Sequence, residues 1–287
     1  MNPLAAAIRS LKAKGRRLPK PPRLLPPINL EKQYQRDLLR LWKYIRSAIY
    51  LNVVPHMKRL AQEAVDNRPT TKRDTAADDF IALMYDTRVQ VSQTWSDEDV
   101  ERLAQIYGVK TNDYNRMQQI KMLKRVVGVD VFVEEPWLRE AMRDFTLANV
   151  KLIKSATEET FSKIENKVLG GFQRGMRHET LIGYIDKQLG VGESHARLIA
   201  RDQINKLNGQ LSMLRQTNLG IKQFIWRTSM DDRVRESHAE MEGEICDWDD
   251  LPDVDGENVA PGEPIQCRCW PEPVFEAPSE EGEDEVQ

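Results

Sequence analysis

The chain has 287 residues, with 42 Lys and Arg against 45 Asp and Glu, and this near balance gives no overall field that would point to nucleic acid as a general partner. No apolar run reaches the length of a membrane span, and the apolar stretch near Met1 is too interrupted for a signal peptide, so we expect a protein that stays in the cytoplasm of the cell that makes it. The length allows one large domain or two modest ones, and we expect two.

Residues 1–29 form a basic, proline-rich arm. They carry seven Lys and Arg and no acidic residue. Five prolines between Pro19 and Pro27 disfavour helix and favour an extended strap. We expect either a disordered leader or an anchor on an acidic surface, and in both cases removal of residues 1–28 should leave folding intact.

Residues 30–168 are predicted to form a mostly helical domain. A stripe of apolar residues from Leu38 to Ile49 indicates one face of a first helix, which Pro55 breaks. The many aromatic residues of this domain are interpreted as core or interface packing rather than as a cofactor site.

Helix boundaries carry their own signals. Ser96 and Asp99 have the spacing of a capping box. Glycines predict the other boundaries, with helix stops expected at Gly108, Gly128, Gly190 and Gly220 and a hinge at Gly170, Gly171 and Gly175.

The stretch from Phe224 to Trp270 concentrates the rarest residue types of the chain. It holds all three cysteines and three of the six tryptophans. It opens with a run, residues 223–228, in which aromatic and β-branched residues alternate with polar ones, as in a short strand.

A short helix is predicted next. Asp231 or Asp232 is expected to cap it, and the spacing places Asp232, Arg235 and His238 on one face. Gly243 is a natural stop. The loop that follows is rich in Asp, Pro and Gly and leads to Cys267-Arg268-Cys269, which we expect to return to His238.

Several motifs occur here in a specific order. They are Trp226-Arg227-Thr228, then Asp231 to Ala239, Gly243, Pro261-Gly262 and Cys267-Arg268-Cys269, preceded by a helix with Ala196, Ile199, Ala200, Arg201, Asp202, Gln203, Asn205 and Gly209. This combination resembles the C-terminal signature of the phage Mu F-like minor head proteins, which are head morphogenesis proteins of tailed bacteriophages. The resemblance covers roughly residues 165–275. Asp202-Gln203 stands where the family usually has Thr-Glu, so the resemblance assigns no role to that carboxylate.

We expect an α+β fold, in which the helix signals above predict a mostly helical N-terminal half and the charge of residues 276–287 predicts an acidic disordered tail. The resemblance implies a smaller α+β Mu F-like domain with short strands at 169–275. The implied function is that of a minor structural protein of a tailed-phage head, present at the procapsid or portal vertex and needed for head assembly or for the handling of DNA at ejection.

The same resemblance implies the partners and the location. The portal protein and the major capsid or scaffolding protein are the expected partners, with no membrane contact. The charge of the basic arm, rather than the resemblance, indicates its partner, which is either a capsid or portal neighbour or packaged double-stranded DNA. The protein would be assembled in the cytoplasm of a host bacterium and be localised to the virion head.

The ligand-type residues predict a metal site, with zinc as the metal. His238, Cys267 and Cys269 supply an imidazole and two thiolates, and the fourth ligand is either Asp232 or Cys246. Sulfur suits zinc better, but Asp232 belongs to the family pattern, so we favour Asp232.

Three other chemistries stay open for this stretch. One is a disulfide, which the reducing bacterial cytoplasm disfavours. Another is a hydrogen-bond network in which Asp232 pairs with Arg235 or Arg268. The third is hydrolysis with His238 as base or a zinc-bound water as nucleophile.

We predict no enzymatic activity. The chain lacks the H-E-x-x-H, G-x-S-x-G and P-loop motifs. The competing functions are a metal-dependent nuclease or toxin-like enzyme packaged in the head, or a DNA-binding accessory protein that uses the basic arm.

Overall fold

The computed structural model describes residues 3–66, 75–128, 134–231 and 234–275. These residues are mostly helical, and the short strands occur after residue 222, which confirms the predicted α+β class. None of the described helices combines the length and the apolar composition that crossing a lipid bilayer requires. The helices are α1 (Pro3–Ala13), α2 (Ile28–Asn52), α3 (Met57–Asp66), α4 (Thr75–Thr94), α5 (Asp97–Val127), α6 (Leu138–Arg174), α7 (His178–Asn218) and α8 (Glu236–Glu240), and the strands are β1 (Gln223–Arg227), β2 (Ile245–Asp247), β3 (Asp253–Val254), β4 (Glu257–Asn258) and β5 (Trp270–Pro273).

Several predicted helix boundaries are confirmed. Pro55 lies in a 3₁₀ turn between α2 and α3. The capping box starts α5, where the backbone N–H of Asp99 donates to Ser96 Oγ at 3.2 Å and the backbone N–H of Ser96 donates to Asp99 Oδ2 at 3.2 Å. Gly128 and Gly220 follow α5 and α7 with φ of 78° and 77°, a conformation that glycine adopts without strain.

Other glycines lie inside long helices, so those boundary predictions are wrong. Gly108 is within α5, Gly170 and Gly171 are within α6, and Gly190 is within α7. Gly108 faces two side chains of α6, because a Cβ there would lie 2.7 Å from the flexible end of Met142 and 3.2 Å from the ring of Phe145. The glycine thus allows close approach of another helix rather than marking a helix end.

The chain divides into two compact units that interleave along the sequence. One, here called the helical unit, contains residues 32–106 and 146–201, and the other, the site unit, contains residues 1–31, 107–145 and 202–287. The sequence predicted domain boundaries at 29/30 and 168/169, which differ from the boundaries between these two units. The predicted domains stay a prediction.

The helical unit has an apolar core built mainly from α2, α4, α6 and α7. Trp42 and Ile45 are fully buried, and Phe80 meets Phe172 edge to face with ring centroids 5.7 Å apart. Arg46 of α2 forms ion pairs with two acidic residues of α7, Asp186 at 3.1 Å and Glu193 at 2.9 Å. The apolar stripe predicted for α2 is therefore the face that it buries.

The basic arm is part of the site unit and is not a disordered leader over its described residues. Leu4 and Ile8 of α1 are 3% and 2% exposed, and Leu24 is also buried. All three pack in one cluster with apolar residues of α5 and with Trp270 of β5. Leu4 and Ile8 lie four residues apart, which places both on one helix face and gives the arm its own apolar side.

The site unit contains a small antiparallel sheet with the order β2-β1-β5. Phe224 of β1 lies opposite Cys246 of β2 and opposite Pro273 of β5. The run predicted at residues 223–228 is confirmed as strand β1. The β3–β4 hairpin follows β2, and its turn residues Asp255 and Gly256 both have positive φ, of 61° and 85°.

Candidate metal centre

His238, Cys267 and Cys269 come together as the sequence predicted. Nδ1 of His238 lies 3.4 Å from the Sγ of Cys267 and 3.4 Å from the Sγ of Cys269. All three residues are buried, with exposed fractions of 3%, 5% and 8%. Their ligand atoms lie within 4.8 Å of one another, and this is a group that could hold a metal ion.

The helix that carries His238 is shorter than predicted. α8 begins at Glu236, and Arg235 before it has an extended backbone with ψ of 152°. The guanidinium of Arg235 donates to the carbonyl of Ile265 at 2.8 Å. This bond connects the start of α8 to residues 265–269, here called the cysteine segment. Asp232 lies outside the described residues, so its role as a ligand stays a prediction.

The two sulfur atoms occupy an environment that stabilises a thiolate. Hydrogen bonding from the thiol of Cys269 is the main reason why the pKa of Cys267 falls to about 5, and hydrogen bonds from His238 and the backbone add to the effect. One of those bonds is the backbone N–H of Cys269, 3.3 Å from Cys267 Sγ. The pKa of Cys269 is raised because this thiol donates to Cys267 and is itself buried. The pair therefore favours one thiolate and one thiol when no metal is bound.

The other nitrogen of the imidazole faces a carboxylate. Nε2 of His238 lies 4.0 Å from Oδ2 of Asp255, which is longer than a hydrogen bond. Trp226 packs edge to face on the imidazole, with ring centroids 5.7 Å apart. Metal-ligating histidines commonly direct the free N–H to a carboxylate, and Asp255 stands on that side. Sequence reasoning missed Asp255, although the Asp-Gly pair at 255–256 is a hairpin signal.

Cys246 does not join this group. It lies on β2, is buried, and its Sγ is 3.9 Å from the carbonyl oxygen of Glu244. Burial raises the pKa of its thiol. All three cysteines are free thiols, so the structure contains no disulfide between Cys246 and the pair.

Two buried carboxylates hold the cysteine segment in place. Asp202 of α7 accepts the backbone N–H of Gln266, the residue before Cys267, at 3.1 Å. Glu31 accepts hydrogen bonds from Asn205 and from Arg268, both at 3.1 Å. Asp202, whose role the sequence did not reveal, thus holds the residue next to the ligand candidate Cys267.

The family glycines permit a close approach between α7 and the loop. A Cβ at Gly209 would lie 2.9 Å from the carbonyl oxygen of Pro261 and 3.5 Å from Cα of Gly262. Gly262 itself has φ of 93°, a backbone conformation that would be strained for a residue with a side chain. The Pro-Gly turn therefore sits directly on the helix that carries Asp202.

The Trp-Arg-Thr motif supports the other side of the site. Arg227 donates to Glu272 of β5 at 2.8 Å and to Glu242 at 3.1 Å. Glu242 also accepts the backbone N–H of Thr228 at 2.6 Å. These contacts link β1 to β5 and to the residues after α8, so they hold the elements that surround His238.

The similarity of this chain to known proteins includes the residues of the site. A family model described as "Phage Mu protein F like protein" matches residues 162–271, a range that contains Asp202, His238, Cys267 and Cys269. A protein of Haemophilus influenzae named "Uncharacterized protein" is 32% identical over 205 residues, which are 69% of this chain and 45% of that relative. The chain thus spans less than half the length of this curated relative. No solved structure matches. The resemblance predicted from the ordered motifs is confirmed, and residues 162–271 match the phage Mu F-like family.

Proposed function

We propose that this chain is a minor structural protein of a tailed-phage head, assembled in the bacterial cytoplasm and carried in the virion. The family match over residues 162–271 is the observation that carries this proposal. The function is head morphogenesis at the procapsid or portal vertex, with a further role in the handling of DNA at ejection.

We further propose that zinc holds the site unit together through His238, Cys267 and Cys269. Zinc bonds of about 2.0–2.3 Å in a tetrahedral site place ligand atoms on the order of 3.5 Å apart. The two Nδ1–Sγ distances of 3.4 Å fit that spacing. The backbone N–H on Cys267 Sγ is the kind of outer contact that orients a zinc ligand. Asp232 is the proposed fourth ligand.

The proposed zinc is structural rather than catalytic. A catalytic zinc needs an open position that substrate and water can reach. Each of the three candidate ligands here is less than a tenth exposed. The geometry therefore favours a stabilising role over the alternatives of a packaged nuclease or toxin-like enzyme.

Contacts with other head proteins are the proposed means of action. The helical unit exposes large apolar side chains, and two of them, Ile81 and Tyr85, lie one turn apart on α4 with 46% and 62% of their surface exposed. Such neighbouring apolar side chains favour protein interfaces. The proposed partners are the portal protein and the major capsid or scaffolding protein, and packaged DNA is the proposed partner of the basic arm.

Mass spectrometry of purified procapsids and virions tests the head-protein proposal. Particles from cells producing the phage that encodes this chain should contain it beside portal and major capsid proteins, at a small and constant ratio to portal. The Cys269→Ser variant should be reduced in particles, whereas Cys246→Ser should enter them normally. Absence of the wild-type chain from both kinds of particle, with the chain abundant in the lysate, would refute the proposal.

A further inference from the structure

We infer that a groove in the helical unit receives an amphipathic helix of a partner protein, one that carries Lys or Arg beside its apolar face. The groove has a volume of about 680 Å³ and lies between α4 and α6, with further lining residues from α2 and the start of α5. All of its lining residues belong to the helical unit. Its size falls in the range of roughly 300–1,000 Å³ that is typical of binding sites in proteins.

The inner lining of the groove is apolar. It consists of Leu41, Val91, Val100, Ile153 and Phe161, each of which is at most 5% exposed. Val89 and Trp95 also line the groove and are half-buried. An apolar side chain that enters the groove therefore loses its contact with water, as the anchor residues of a docked helix do.

Apolar side chains continue from the groove along α4. Ile81, Tyr85 and Val89 follow one another at intervals of four residues, which makes them neighbours on the helix surface. Ile81 and Tyr85 are 46% and 62% exposed, and Val89 lines the groove. A helix anchored in the groove thus has a second apolar surface beside it to cover.

The polar groups of the groove favour a helical occupant over an extended one. The hydroxyl of Ser92 donates to the carbonyl of Val89 at 2.9 Å, and the hydroxyl of Thr157 donates to the carbonyl of Ile153 at 2.9 Å. The two long sides of the groove are helices, whose backbone groups bond within the helix. An extended peptide needs partners for its backbone, such as a sheet edge provides, whereas a helix satisfies its own backbone.

Two ion pairs connect α6 to its neighbours at the groove. Lys154 binds Asp97 of α5 at 2.6 Å, and Glu158 binds Arg88 of α4 at 3.2 Å. The side chains of Lys154 and Asp97 are 52% and 68% exposed, and exposed pairs of this kind contribute little to stability. A charged residue of the partner therefore exchanges with them at small cost.

The charge around the groove determines the sign of that residue. Residues 86–102 and 151–165, which contain every lining residue except Leu41, carry eight Asp and Glu against five Lys and Arg. Four of these acids lie between residues 97 and 101, at the start of α5. Because interfaces pair opposite charges, the polar positions of the partner helix near this end are Lys or Arg.

This inference rests on the proposed function only for the origin of the partner helix, which is another head protein. The groove itself is tested with the purified chain and synthetic helices. A failure of that test leaves the presence of the chain in heads to be decided by the content of the particles.

Fluorescence anisotropy of labelled synthetic helices with the full chain tests the groove. The probe has leucines at i, i+3, i+4 and i+7 and lysines at its polar positions. One matched peptide has glutamates in place of the lysines, and another has the same residues in an order that forms no apolar face. At about 0.15 M salt, where the Debye length is ~8 Å, the lysine helix should bind, and both matched peptides should bind several-fold more weakly.

A pair of variants locates the binding. Ser92→Tyr adds bulk at an exposed residue that lines the groove, and it should weaken binding of the lysine helix several-fold. Gln93→Tyr adds the same side chain at the next exposed position of α4, outside the lining, and should leave binding unchanged. Equal affinities of the three peptides, or equal effects of the two variants, would overturn the inference. So would a lysine helix that does not bind, including the case in which the apolar dye anilinonaphthalene sulfonate binds the wild type but not Ser92→Tyr, which would assign the groove to a small apolar molecule.

Discussion

At the scale of single residues, residue type alone predicts the metal-ligand candidates, but it does not predict the residues that hold them in position. Two cysteines separated by one residue and a histidine in a cysteine-rich stretch predict a common site, and the structure places Nδ1 of the histidine 3.4 Å from each of the two sulfur atoms. Glu31 meets Arg268 across 237 positions of sequence, and no local spacing rule indicates such a pair. The role of Asp202 was hidden for a similar reason, because its partner is a backbone amide 64 positions away.

Asp202 provides the residue-level prediction. Asp202→Ala removes a buried carboxylate that accepts the backbone N–H of Gln266, and we expect a loss of about 1 kcal/mol in the free energy of unfolding. Urea unfolding of the full chain measures this loss. Asp144→Ala removes an exposed acid and should change the value by less than about 0.5 kcal/mol. Equal effects of the two substitutions would contradict the role given to Asp202.

At the scale of elements, periodicity and capping predicted which segments are helical but not where each one ends. The box of Ser96 and Asp99 is local, so sequence alone identified it. Gly108 has two possible uses, as a stop or as a point of close approach, and only the neighbouring Met142 decides between them. In the same way, α8 begins only at Glu236, because the backbone of Arg235 is extended and its side chain donates to the carbonyl of Ile265.

Two glycines of α7 give a matched test of close approach. Gly209→Ala places a methyl group 2.9 Å from the carbonyl oxygen of Pro261, and we expect a loss of about 1–3 kcal/mol in stability. Gly183→Ala meets no atom within 4 Å and should gain about 0.5–1 kcal/mol through its higher helix propensity. Opposite shifts of the urea midpoint are the expected result. A loss of the same size at both positions would show that the loop contact is not the cause.

At the scale of the whole molecule, the sequence predicted consecutive segments, whereas the compact units interleave. Composition could not reveal this, because charge and proline content describe the arm but not what its few apolar residues contact. Leu4, Ile8 and Leu24 attach the arm to an apolar cluster of the site unit, whereas its basic side chains stay exposed. A fragment beginning near residue 165 would therefore lack residues 1–31 and 107–145 of that unit.

The apolar residues of the arm should contribute to the stability of the whole protein. Ile8→Ala removes a fully packed side chain from the cluster with Trp270, and we expect a loss of about 2–4 kcal/mol in the free energy of unfolding. Ser10→Ala, at an exposed position of the same helix, serves as the control and should have little effect. Unfolding of the full chain, followed by tryptophan fluorescence, measures both. An arm that is only a leader would make the two variants behave alike.

The zinc content of the purified full chain tests the central claim most directly. Protein made in bacteria and purified without chelator or a histidine tag should contain about one equivalent of zinc, and removal of the metal should lower its melting temperature. Cys267→Ser and Cys269→Ser should lose the metal, whereas Cys246→Ser, which changes a cysteine outside the group, should retain it. Wild-type protein with less than about a tenth of an equivalent, and with melting unchanged by chelator, would contradict the account.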